Sequence, residues 1–161
     1  MTKGAVIALP LIVALVSACS GGDPSIADQL GDSIFGEAPP VPEIDTDAAI
    51  EGRVVYQANC SQCHGADLEG ADDWMTADEQ GRLPPPPMDS SGHTWHHSDQ
   101  LLADIIANGS PDPSSAMVGF GDRLSAAEIA AILAFFKTRW GPDERRFQWT
   151  VTWQELERAA P

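Results

Sequence analysis

The sequence predicts an all-α domain. Three segments combine helical spacing with helix start or stop signals, long Gly- and Pro-rich loops separate them, and a paired-cysteine motif closes the first. The 161 residues suit one domain with a tail, and 43% hydrophobic content is enough for a core. The formal charge of −15, from 9 Lys+Arg against 24 Asp+Glu, excludes nucleic acid as a partner, because so acidic a chain repels phosphates and shows no basic patch. Three cysteines cannot build a disulfide framework, and an odd number gives at least one of them another role.

Residues 1–18 run from a single charge, Lys3, through an apolar stretch to the small pair Ser17-Ala18, the layout of a secretory signal. The sequence Val16-Ser17-Ala18-Cys19 resembles the bacterial lipoprotein lipobox, which implies acylation of Cys19 as the new N-terminus and stable anchoring by several acyl chains. The expected location is therefore the bacterial cell envelope, facing the periplasm. Ser20 in place of Asp after Cys19 points to the outer membrane over the inner. Residues 19–45, with Gly21-Gly22, Asp23-Pro24 and Pro39-Pro40-Val41-Pro42, read as a flexible tether spanning roughly 25–30 Å.

The first helix is expected over Thr46–Tyr56, capped by Asp45 or Thr46, with Ala49, Ile50, Val54 and Tyr56 on its inner face. It leads into Cys60-Ser61-Gln62-Cys63-His64-Gly65. Two thiols at C-x-x-C spacing can form thioethers with two vinyl groups on one haem edge, and the adjacent His64 then lies beneath the iron. A thioredoxin-like pair would need a βαβ setting, which this sequence lacks. A structural zinc site would have to recruit two of His93, His96 and His97. A simple disulfide would leave His64 without a role. One C-x-x-C-H means one haem c.

With Gly52 and Tyr56 preceding CxxCHG, the chain resembles the class I cytochrome c family over roughly residues 46–140. The resemblance implies a small fold of three to four helices around one covalently bound haem. Gly52 would permit close crossing of the first and last helices, and Tyr56 would pack on that crossing. A distal methionine is implied, with Met75, Met88 and Met117 as candidates. Met117-Val118-Gly119-Phe120-Gly121-Asp122-Arg123-Leu124-Ser125 looks like the family's M-P-x-F-G-x-x-L-[ST] loop, with Val118 in place of proline. Met117 is thus the expected second axial ligand, and Phe120 a haem-packing side chain. Pro84-Pro85-Pro86-Pro87-Met88 resembles the family's G-P-x-L segment. That match implies that the Pro86 carbonyl accepts from the His64 ring and that Met88 packs on the haem.

Residues 65–97 otherwise read as loop. Leu101, Leu102, Ile105 and Ile106 form the second stripe, capped by Ser98 and stopped by Asn108-Gly109. Ser125-Ala126-Ala127-Glu128 is a capping box. Behind it, Ile129, Ile132, Leu133, Phe136 and Trp140 form the clearest stripe, ended by Gly141-Pro142. The domains are then 1–18 signal, 19–45 tether, 46–141 cytochrome and 142–161 extension, whose Trp149, Val151, Trp153 and Leu156 are expected to wrap back on the domain. The cluster Gly92-His93-Thr94-Trp95-His96-His97 is expected to fold over the haem edge, with Trp95 or His93 donating to a propionate.

The functional expectation is a membrane-tethered, non-enzymatic carrier of single electrons between redox protein partners, with an acidic rim that would steer a basic one. Two alternatives stand beside it. One is an open distal site suited to peroxide or gas chemistry. The other is a copper-handling protein using His93, His96 and His97.

Overall fold

The computed structural model describes residues 38–161. Among the described residues, five α-helices, α1 (Thr46–Asn59), α2 (Ser61–His64), α3 (Asp99–Asn108), α4 (Ala126–Lys137) and α5 (Pro142–Ala159), and one 3-10 turn (Thr94–His96) carry the fold. The described residues contain no strand, only two isolated bridges, Leu83 to Ser115 and Gly109 to Val118. No helix among them is long and apolar enough to cross a membrane.

The Asp45 side chain caps α1 by accepting from the Ala48 N–H at 3.0 Å, satisfying one of the orphan donors of the first turn. The buried face of α1 is Ala49, Gly52 and Tyr56. Ile50 and Val54, expected inside, are 61% and 67% exposed. The reason is the crossing with α4, where a methyl placed on Gly52 would land on the Ala131 carbonyl. The helices meet backbone to backbone along the small-residue side, so the large apolar residues are turned outward.

α4 begins with the reciprocal box: Ser125 Oγ accepts from the Glu128 N–H, and Glu128 Oε2 accepts from the Ser125 N–H at 2.8 Å. The core packs on its buried Ile129, Ile132, Leu133 and Phe136, with Trp140 beyond its end. The helix stops at Lys137, where Thr138 and Arg139 donate to the Phe135 and Phe136 carbonyls. Gly141-Pro142 therefore opens the next helix rather than ending this one, with Gly141 as N-cap and Pro142 in the first turn.

α5 runs 18 residues, about 27 Å. It packs back on the domain as expected, but its most buried positions are polar: Gln148 and Thr152 are buried, Trp149, Val151 and Trp153 are half-buried, and Leu156 is exposed. Gln148 Nε2 donates to Asp99 Oδ1 at 2.7 Å and Thr152 Oγ1 at 3.0 Å. The Asp99 N–H reaches Thr152 Oγ1 at 3.0 Å, and Asp99 Oδ2 pairs with Lys137 Nζ at 2.6 Å. Residues 38–45, the end of the segment read as a tether, are held along α5. Arg145 donates to the Pro42 carbonyl at 3.0 Å and Trp149 Nε1 to the Pro39 carbonyl at 2.7 Å. Beneath this strap lies a cavity of about 440 Å³, bounded by Ala103 of α3, Ala130 and Leu133 of α4, and Trp149.

Candidate functional site

The CxxCH motif folds as a helical turn. α1 gives way to α2 at Cys60, whose N–H still donates to the Tyr56 carbonyl at 2.8 Å, and the His64 N–H donates to the Cys60 carbonyl at 3.0 Å. Cys60 and Cys63 are both free thiols, Cys60 half-buried and Cys63 exposed. Burial, and secondarily Cys63, push the Cys60 thiol up to about 11. Gly65 ends the turn at φ +79°, a conformation that favours glycine, with its N–H on the Ser61 carbonyl.

His64 is buried, and burial pulls its pKa below the ordinary value while the Pro86 carbonyl acts the other way. Its Nδ1 lies 3.2 Å from the Pro86 oxygen. A carbonyl can only accept, so Nδ1 carries the proton and Nε2 keeps a free lone pair. Two unpaired thiols one helical turn apart, followed by an oriented neutral imidazole, match the donor chemistry of covalent haem c. Cys60 and Cys63 would hold the porphyrin, and His64 Nε2 the iron.

Tyr56 ties the turn to the helix crossing. It is fully buried, with its ring 5.4 Å from Phe135 and 6.0 Å from Phe136, and its hydroxyl donates to the Gly65 carbonyl at 2.6 Å. Burial is the first cause that holds its phenol well above the usual value.

Three of the four prolines are held through their carbonyls, since a proline has no N–H to give. Pro85 accepts from the Ala71 N–H at 2.9 Å, Pro86 from His64, and Pro87 from Thr94 Oγ1 at 3.3 Å. Met88 is buried in the core; its N–H donates to the Leu68 carbonyl at 2.8 Å and its carbonyl accepts from Trp140 Nε1 at 2.9 Å. Leu68, fully buried at φ +71°, and Trp140 in this anchoring role were not foreseen from sequence.

Met117 is half-buried against the core, its N–H on Ser115 Oγ and its carbonyl accepting from the Ser110 N–H, each at 3.2 Å. The loop that follows lies on the end of α3. Phe120 and Gly121 donate to the Ile106 and Ala107 carbonyls at 2.9 Å, satisfying acceptors that a helix C-terminus leaves open. Gly119 sits so close to Ala107 and Asn108 that a side chain there would strike their backbone. Val118, where the family has proline, is exposed. Phe120 is half-buried against the core beneath the Arg123 guanidinium, 4.5 Å from the ring centre. Met75 is exposed in the 65–82 loop.

Of the two side chains expected to donate to a propionate, Trp95 donates its Nε1–H to the Gly92 carbonyl at 3.0 Å, so that donor is committed within the chain. His93 stacks on Trp74 at 5.2 Å, and His96 lies against Trp95 and Phe147. Residues 94–96 form a 3-10 turn, not an α-helical face. Among the described residues no group of three or more His, Cys, Asp or Glu side chains is placed to hold a metal ion. Cys19 and the signal segment lie outside the described residues.

The family model described as "Cytochrome C oxidase, cbb3-type, subunit III" matches residues 47–136, which contain both the C-x-x-C-H turn and Met117. No curated protein and no solved structure matches significantly.

Proposed function

The chain belongs to the c-type cytochrome family of the cbb3-type oxidase subunit III domain, an electron-carrying domain with covalently bound haem c, and from that premise we propose a lipid-tethered, single-haem carrier with His64 and Met117 as axial ligands. Haem iron supplies a reversible one-electron change, and methionine ligation favours its reduced state. The chain's own residues do the rest. Cys60 and Cys63 would fix the porphyrin through thioethers to the turn that opens α2. Pro86 holds the His64 ring in one tautomer and one orientation. The glycines at 109, 119 and 121 let the Met117 loop lie on α3. His64 and Met117 together would leave the iron no position for a substrate, so the reading is electron transfer rather than catalysis.

The observation that carries this reading is the His64 Nδ1 to Pro86 carbonyl contact of 3.2 Å directly after two unpaired thiols. Asp67, Glu69, Asp72, Asp73, Asp78 and Glu79 in the loop after the motif would steer a basic protein partner at low salt. The anchor rests on the lipobox-like Cys19, with the periplasmic face of the outer membrane as its site. Ligation is tested by the weak red charge-transfer absorption of methionine-bound ferric haem. It should be present in the wild type and lost in Met117→Leu with a change to a high-spin spectrum; an unchanged spectrum would exclude Met117. Mass spectrometry of the mature N-terminus should find acylated Cys19, and an unmodified N-terminus would exclude the anchor.

A further inference from the structure

The segment that supports His64 and the loop that carries Met117 are tied to each other. The Leu83 N–H, immediately before the proline run, donates to the Ser114 carbonyl at 2.8 Å, and Leu83 bridges in parallel to Ser115. On one side of this bond, the prolines at 84–87 have locked φ angles, so Leu83 is connected by stiff chain to the Pro86 carbonyl. On the other side, Ser114 belongs to a tight turn in which Asp112 Oδ1 accepts both its N–H at 2.8 Å and its hydroxyl at 2.7 Å. The hydroxyl oxygen of Ser115, the next residue, accepts from the Met117 N–H at 3.2 Å.

We infer that Leu83 and Ser115 are positioning residues that couple the two axial-ligand supports, so that the Met117 loop is held at the iron partly through the backbone that orients His64. The inference rests on the proposed His64/Met117 ligation and goes beyond it. Val118 makes the coupling more consequential, since a proline there would have stiffened the loop on its own. The cross-tie supplies restraint that the loop's own sequence lacks.

The test is competition for the distal position by added imidazole, read in the ferric protein after the methionine absorption has been recorded. Leu83→Pro removes the N–H from an exposed position where the backbone already precedes a proline; Leu83→Ala keeps it. Imidazole should bind Leu83→Pro about tenfold more tightly than wild type, equivalent to about 1.4 kcal/mol, and Leu83→Ala within about twofold of wild type. Ser115→Ala, which leaves the Leu83 bond in place, should shift in the same direction, with recovery in Ser115→Thr. Equal affinities in Leu83→Pro and Leu83→Ala, or no shift in Ser115→Ala, would overturn the coupling. Absence of the methionine absorption in the wild type would instead overturn the ligation beneath it.

Discussion

Replacing Gly52 with alanine tests the contact on which the fold is organised. In an isolated helix the change would be favourable by about 1 kcal/mol, because glycine is the poorer helix former. Here the added methyl would coincide with the Ala131 carbonyl and crowd the Ile132 nitrogen, both backbone atoms of α4 that cannot rotate away. The two helices must separate, which loosens Tyr56 from Phe135 and Phe136. Overpacking of this kind costs about 1–3 kcal/mol, and a backbone clash belongs at or above the top of that range. The net expectation is a destabilisation of about 2 kcal/mol, a fall in Tm of roughly 6–12 °C for a domain of this size. Thermal and guanidinium melts followed by circular dichroism measure it. Ile50→Ala is the internal control. At 61% exposure it should change stability by no more than about 0.5 kcal/mol, whereas an inward Ile50 would cost about 2–5 kcal/mol. A Gly52→Ala protein as stable as wild type, or a large loss in Ile50→Ala, would refute the crossing.

Other outcomes follow from single contacts. Tyr56→Phe removes the 2.6 Å bond to the Gly65 carbonyl and should cost about 1–2 kcal/mol in guanidinium unfolding. With the wild-type phenol raised by burial, its contribution is complete below pH about 10 and is lost as pH rises toward the folded value, so phenolate absorbance should appear only with unfolding. His97 lies below its usual value, through burial first and then His93 and His96. Its neutral form favours the fold above pH about 6.5, and stability should fall as pH drops below that, with a shallower slope in His97→Gln. Arg145→Ala combined with Trp149→Phe removes both donors to the strap. Cleavage after the exposed Glu43 by a glutamyl endopeptidase should then accelerate several-fold while the domain melts as before; an unchanged cleavage rate would show that the strap is held by other means.

The parts legible in the sequence were those whose physics is local. The capping box at Ser125 and Glu128, the stripe behind it and the Ser98 cap of α3 are each specified within a few residues, and each forms as read. The face of α1 was not legible, because hydrophobic periodicity assumes that apolar residues point inward, and here a Gly52–Ala131 approach decides the face. That α5 docks was legible, but the polar face it uses was hidden for a related reason. Its contacts are hydrogen bonds among Gln148, Thr152 and Asp99, which leave no hydropathy signal. At the site, the C-x-x-C-H turn needs only its own residues, so it stood out at once. Of its supports, the Pro86 carbonyl was implied by the family resemblance and is found at His64; the others were not legible, since Trp140 reaches Met88 across 52 positions and the Leu83 to Ser114 bond is made by backbone atoms that any residue but proline could provide.

The central claim is that Cys60 and Cys63 hold one haem through thioether bonds. Its most direct measurement is the pyridine haemochrome spectrum of the chain matured in an exporting host, taken after acidified acetone has removed any haem not covalently attached. One c-type haem per chain should remain with the protein, and none in the Cys60→Ser/Cys63→Ser variant. Haem that leaves with the solvent, or wild-type protein that matures without haem, would contradict it.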